Sequence, residues 1–468
     1  MDSTQRSQSF RKLVESLKHG NIDRRQVMTR AGALGAGAAL ASAAQPLVSG
    51  GFTQSGRTSI ASANIQDTVT LDWANDAAWH EAGQEALGEA ASAEIGVGIE
   101  SVFFPDSDAF QAAVRSSLES DEAFPVFDWW SGYRMRDLVD AGLVADLTSL
   151  WEEHIAAGEY PQTLMNQFAL DGRAYGAPKL VNYWAVFYNK HVFDDHGLTP
   201  PTTWDELVAI ADTLKAEGIT PFGQDVVGCR WCSFIWFEEL LIRTDPQLYE
   251  ALVSGGAAYN DPGVAEAMNV WSDLIERGYF SEPGAVTGEQ LPQSLLNGEI
   301  GMYLIGDWWT VNLERAGAIA NTDYGVFVMP GISEAGNRSL IIEARPVMVA
   351  EQSAEKENAL ALVDYLMGPE GQTAWATAGD VNSPNLKIAA DTRPQHLVAL
   401  SDSVGAGDYD LHLRYWEATP PEISDQVVDL LGRFVLEPGS QEEVLDQATA
   451  IADEFWAEEQ ARRGSRTG

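Results

Sequence analysis

Basic residues are scarce in this chain of 468. It has 29 Lys and Arg against 69 Asp and Glu, a net charge of −40. Such a chain repels nucleic acid and anionic lipid head groups, so neither is expected as a partner. The acidic residues are interspersed through helical segments rather than run in blocks, which describes a solvated surface. High-salt adaptation and a high-GC genome both fit this composition. Cysteine is nearly absent, with only Cys229 and Cys232, spaced C-R-W-C. No second Cys pair and no nearby His cluster completes a zinc site, so no metal is expected. No compact βαβ unit surrounds the pair, which speaks against thioredoxin-like chemistry. Outside the membrane it is one small structural disulfide or two free thiols. Long hydrophobic runs are also missing. The mildly apolar stretch 31–44, rich in Ala and Gly, is too short to span a bilayer. There is no G-x-S-x-G, P-loop, H-E-x-x-H or EF-hand loop, and no cofactor is expected. The seven His are scattered, with His19 in the N-terminal segment and His191 and His196 flanking a short helix as surface residues.

What is present begins with Asp23, Arg24, Arg25, Gln26, Val27 and Met28, which resemble a twin-arginine export motif with Val27 where Phe is common. Ala41, Ser42 and Ala43 give a small-residue cleavage site, so residues 1–44 read as a twin-arginine signal peptide. No Cys lies near that site to form a lipobox. Residues 45–66, rich in Ser, Gly, Thr and Ala, read as a flexible linker. The expected location is periplasmic or extracellular, reached already folded.

Beyond residue 67 the pattern alternates. Residues 68–73, 98–104 and 124–130 read as strands. Helices are expected over about 77–93, through Phe110, Val114 and Leu118, and around Leu138 with a stop at Gly142. This β-α-β-α-β-α rhythm predicts a parallel sheet with helices on both faces. Ala185, Val186, Phe187 and Tyr188 form an apolar run that suits a buried parallel strand. Pro200 and Pro201 then force an extended entry. Thr203 and Glu206 make a capping box, and Leu207, Ile210, Ala211 and Leu214 define one apolar helical face ending at Gly218. There is no internal repeat.

The joint order of Tyr188-Asn189-Lys190, Gly197 before the prolines, Thr203-Trp204-Asp205-Glu206-Leu207 and Gly218-Ile219-Thr220-Pro221 resembles a signature of family 1 extracytoplasmic solute-binding proteins, the sugar-binding components of ABC importers. Other segments resemble the same family. They are Gly142 to Leu147, Asp171 to Pro178, Leu295 to Trp308, and a helix pair carrying Glu370 and Gln372. The resemblance implies a two-lobed α/β periplasmic-binding-protein fold, each lobe a mainly parallel sheet flanked by helices, with a ligand cleft at the hinge. Lobe 1 is expected over 67–181 and 330–385, and lobe 2 over 182–329 and 386–468, with the first hinge crossing at 181–184. It implies a monomer that captures a mono- or oligosaccharide by hinge closure and delivers it to ABC permease subunits in the membrane.

In open parallel sheets ligands bind outside the carboxyl ends of the strands. A pyranose offers an apolar face and a rim of hydroxyls, so its site needs aromatic rings beside carboxylates, amides or guanidiniums. The candidates are Trp73 and Asp76 after the first strand, and Asp128, Trp129 and Trp130 after the third. They continue with Asn182, Tyr183 and Trp184 at the hinge, Trp231 between the cysteines, and Asp307, Trp308 and Trp309 opening a helix. Glu343 and Arg345, expected to begin the return strand, and Asp380 complete the set. Within each adjacent Trp pair one ring is expected in the cleft and the other in the core. Trp308 ranks first, Trp204 and Trp271 read as core, and Glu343 and Arg345 have a plainer reading as a mutual surface pair. A secreted glycoside hydrolase would share the acidity and the aromatics but needs two carboxylates at a fixed separation. Glu238 and Glu239 share one amphipathic helix and no eightfold βα rhythm occurs. A binding protein for a polyol or glycerophosphodiester, or a ligand-presenting sensor, would keep the same fold.

Overall fold

The computed structural model describes residues 68–466 apart from 105, 106, 121, 380 and 393. The export motif, the cleavage site and the linker lie outside the described residues. The chain opens with β1 (Val69–Asn75), α1 (Glu81–Ile95), β2 (Val97–Phe103), α2 (Ser107–Leu118), β3 (Val126–Asp128) and α3 (Tyr133–Asp140). β1 pairs in parallel with both β2 and β3, because each return passes through a helix. A hairpin of β4 (Ala169–Leu170) and β5 (Arg173–Ala174) turns on Asp171 and Gly172, both at positive φ.

The next strand, β6 (Ala177–Asn189), runs through both halves of the molecule. Its first half pairs with β10 (Ser339–Val349), and its second half pairs with β8 (Ile300–Gly306) and β9 (Tyr324–Phe327). β7 (Thr220–Phe222) adds to β8, and β11 (Asp410–Leu413) adds to β10. The sheet order is β2-β1-β3-β10-β6-β8-β7, with helices on its faces. The run Ala185 to Tyr188 is buried as expected but is not a parallel strand, since β6 is antiparallel to β8, β9 and β10. Burial on both faces produces a continuous apolar run whatever the strand direction, so the pattern reports depth and not polarity.

Among the described residues, three apolar clusters form the interior. One gathers Leu71, Trp73, Leu180, Ile342, Leu362 and Trp375. A smaller one, with Phe110, Phe127, Trp129 and Met348, includes residues of the same strands. The third gathers Phe187, Trp236, Met268, Trp271, Met302 and Val427. Helix α4 (Trp204–Ala216) carries the Thr203–Glu206 capping box and buries Leu207, Ile210, Ala211 and Leu214 in that third cluster, with Gly218 at φ 80 beyond its end. Helices α5 (Ile235–Thr244) and α6 (Pro262–Glu276) belong to it too. In the C-terminal part, Ile388, Leu411 and Leu413 pack with the first cluster, whereas Tyr415 and the buried face of α7 (Pro421–Leu436) join the third. The chain thus crosses between the two cores at Arg414. Among the described residues no helix is long and apolar enough to cross a membrane.

Candidate functional site

The floor of the site is the pair of crossing strands. Glu343 and Arg345 lie in the middle of β10, not at its start, with Glu343 opposite Asn182 and Arg345 opposite Leu180. Strand periodicity puts the two on one face, where both are half-buried between fully buried neighbours. They do not form a mutual surface pair, because each is claimed by other groups.

Arg345 pairs with Asp76, lies 3.5 Å from Asp128 through Nε, and sits 5.3 Å over the Trp130 ring. Asp128 accepts from Trp73 Nε1 at 2.9 Å and from the buried Lys179 ammonium. Lys179 Nζ in turn lies 3.1 Å from His80 Nδ1. Burial is the largest influence on Lys179 and pushes its amine down to about 8 against the pull of Asp128. Burial, then Lys179 and Arg345, hold His80 well below its ordinary value, so it is neutral beside the ammonium. At Asp76 burial raises the carboxyl, but Arg345 and the Ser107 hydroxyl outweigh it and the net shift is downward.

The second half of the site is built around Arg414. Its guanidinium grips Glu417 with two bonds of 2.6 Å and reaches Glu343 at 3.1 Å. It lies 5.7 Å from the Trp184 ring and 5.8 Å from the Trp231 ring. Trp231 meets Trp308 edge-on at 6.0 Å and Trp184 at 6.3 Å. Burial raises the Glu343 carboxyl above its ordinary value, opposed by Arg414. Burial also pushes Asp307 well up, although it accepts from the Tyr183 backbone N–H at 3.1 Å. The loop joining β3 to α3 and the first turn of α3 bridge the halves. Arg134 donates to Trp416 O at 3.1 Å, Ser424 Oγ at 3.4 Å and Asp425 at 3.0 Å, with its guanidinium 3.9 Å over the Trp416 ring. Gly132, at φ 62, stands so close that a Cβ there would lie 2.1 Å from Glu417 O.

The structure therefore brings Asp76, Asp128, Trp130, Asn182, Trp184, Trp231, Trp308, Glu343 and Arg345 to one region. It takes others away from it. Trp73 is buried behind Asp128. Trp129 and Trp309 are core rings whose indole N–H groups are spent on Arg134 O and Thr287 O. Their partners Trp130 and Trp308 are the half-buried members, although Trp308 and Trp309 sit in a helical turn and Trp129 and Trp130 follow the end of β3. Tyr183 is buried in the first core and Asp307 is turned to its backbone. Asp380 lies outside the described residues. Glu238 and Glu239 are both interior: Glu238 accepts from Tyr415 N at 2.5 Å and Glu239 pairs with Arg243 at 2.8 Å. Cys229 and Cys232 form a disulfide with Cα atoms 5.3 Å apart. Sequence reasoning missed Lys179, His80, Arg134, Arg414, Trp416 and Glu417. Two signals were available, a lone lysine inside the apolar run of β6 and the aromatic-flanked charges of Arg414-Tyr415-Trp416-Glu417.

Two halves joined by crossing strands, with rings and charges between them, match the layout of a two-lobed solute-binding protein. The profile of the family "Bacterial extracellular solute-binding protein" matches residues 49–373. The chain belongs to that family, whose members are periplasmic or exported and serve ABC transporters. An "Uncharacterized ABC transporter extracellular-binding protein" of Pyrococcus horikoshii is 28% identical over 241 residues, covering 49% of this chain and 52% of the relative, so the match spans about half of that protein. A "Probable sugar-binding periplasmic protein" of Brucella melitensis is 27% identical over 210 residues, covering 43% of this chain and 48% of the relative. Among solved structures, the bacterial solute receptor AcbH, described as preferring β-D-galactopyranose, superposes with a TM-score of 0.70 at 20% identity, over 83% of this chain and 99% of that one. The raffinose complex of RafE gives 0.64 at 17% identity, over 83% and 99%. At such identities these likenesses speak for the fold alone.

Proposed function

We propose that this protein is an extracytoplasmic carbohydrate-binding protein that closes its two lobes on a mono- or oligosaccharide and delivers it, as a monomer exported by the twin-arginine route, to ABC permease subunits. The observation that carries the reading is the grouping of Trp130, Trp231 and Trp308 around Glu343 and Arg345 on the crossing strands. Half-buried indoles suit the apolar face of a pyranose, and paired carboxylates and guanidiniums suit its hydroxyls. The three cations Lys179, Arg345 and Arg414 are each already paired with carboxylates, Asp128, Asp76, Glu343 and Glu417, so none of the three is left uncompensated to draw an anionic ligand, which favours a neutral one. Ser131 Oγ and Trp184 Nε1 are buried without a hydrogen-bond partner, and a ligand hydroxyl would satisfy each. Core packing supports a first lobe that takes in the C-terminal segment as far as Leu413, and a second that resumes at Tyr415. Titration with a sugar panel is expected to give a saturable tryptophan fluorescence change. A panel of mono- and oligosaccharides that moves neither fluorescence nor Tm sinks the carbohydrate assignment and brings polyols and glycerophosphodiesters forward.

A further inference from the structure

The loop that carries Trp231 contains a buried carboxylate, Asp225, shortly before the ring. Asp225 Oδ1 accepts from Gly228 N at 2.9 Å and Cys229 N at 3.1 Å, and Oδ2 accepts from Thr287 N and Thr287 Oγ1, both at 3.0 Å. One side chain thus ties the segment leading into the disulfide to the segment around Thr287. Thr287 carries the tie onward. Its carbonyl accepts from Trp309 Nε1 at 2.8 Å and its hydroxyl meets Tyr303 OH at 3.1 Å, next to the turn that presents Trp308. On the other side Cys229–Cys232 brackets Trp231, and Arg230 grips Asp429 of α7 with bonds of 2.5 and 3.0 Å. Burying a carboxylate is costly unless its lone pairs are filled; here Oδ1 fixes the shape of the loop leading to Trp231, and Oδ2 ties that loop to Thr287, which in turn holds Trp309 beside Trp308.

We propose that Asp225 and the Cys229–Cys232 disulfide are positioning groups that preset the Trp231–Trp308 ring pair for ligand. This rests on the reading of those rings as ligand-facing. A preset pair loses less ordering entropy on binding than two rings on free loops. Asp225 touches neither ring, so its effect must pass through the loop backbones.

The test uses the full chain labelled with 5-fluorotryptophan and observed by 19F NMR, with the lines of Trp231, Trp308 and Trp271 assigned by loss in Trp231→Phe, Trp308→Phe and Trp271→Phe. In Asp225→Asn, one acceptor oxygen becomes an amide that cannot accept from N–H groups. The Trp231 and Trp308 lines are expected to shift or broaden while Trp271, in the core, stays fixed. Affinity for whichever of D-galactose, maltose and raffinose the wild type binds should fall about tenfold, the scale of one lost positioning contribution. Unchanged Trp231 and Trp308 lines overturn the proposal, as does a common shift of all three, which would mark a general loss of structure. Should Asp225→Asn fail to fold, the folded wild type treated with a phosphine reductant, which converts the disulfide to two thiols, takes its place. Broadening of Trp231 with Trp271 fixed supports the proposal, and an unmoved Trp231 line overturns it. Moved lines in a protein that binds none of the three sugars leave the positioning role standing and count against the carbohydrate reading instead.

Discussion

Arg345 and Arg414 do the same thing in opposite halves of the cleft, each lying against tryptophan and tied to carboxylates, yet they are built by different means. Arg345 comes from the middle of a central strand, and its partners Asp76 and Asp128 follow or end neighbouring strands of the same sheet. Arg414 comes from the one residue between β11 and the helical turn that follows, and two of its neighbouring groups, Trp231 and Glu417, are supplied by a disulfide loop and that turn. The first half is fixed by sheet register, the second by side-chain bonds between loops. The lesson is that a strand-built half resists change through its buried charges, whereas a loop-built half depends on its tethers.

The comparison is tested most severely at Lys179. Lys179→Ala leaves Asp128 buried with less compensation and is expected to cost about 3–5 kcal/mol in urea unfolding, the usual penalty for halving a buried ion pair. A loss under about 1 kcal/mol, the surface-pair range, would mean that the strand-built half is not rigid in this sense. Next comes the pair of adjacent indoles. Trp309→Ala empties a core position and should lower stability by about 3–5 kcal/mol. Trp308→Ala should leave the urea midpoint nearly unchanged and weaken sugar binding by about 1–3 kcal/mol. A variant pair with these effects exchanged would place the wrong ring in the cleft. The smallest effect is one of pH. His80 has its folded value depressed well below 6.5. The unfolded chain therefore binds the proton more readily, and the stability His80 contributes is present above pH 6.5 and lost as pH falls below it. Chemical denaturation from pH 7.5 down to 5 should show that slope in the wild type and a shallower one in His80→Asn. Equal slopes would remove His80 from the account of the first half.

The same division explains what could be read in advance. Strands, helices and caps followed from periodicity in both halves, since Phe110, Val114 and Leu118 repeat at helical spacing in the first and Thr203 with Glu206 announces a helix start in the second. Asp76, Asp128 and Trp130 were legible because strand ends are where ligands meet open sheets. Strand direction in β6 was not, because burial leaves the same trace in either direction. The distant partners of Arg414 and Arg134 were not legible either. Each arginine acts on atoms more than 70 positions away, Arg414 on Glu343 and Arg134 on Asp425, and no local pattern encodes a partner at that distance. Trp129 and Trp309 were named as candidates because alternation says that one ring of a pair turns inward without saying which.

The Arg134 clasp has a thermodynamic consequence. Its bonds to Trp416 O, Ser424 and Asp425 join one half of the protein to the other, so their free energy favours the arrangement in which the halves touch there, whatever lies in the cleft. Apparent affinity equals intrinsic affinity multiplied by the fraction of molecules already competent to hold the ligand. The clasp is therefore a dial on that fraction. Arg134→Ala would weaken every ligand by one common factor and leave the ranking of sugars untouched, whereas a change at Trp308 would reorder it.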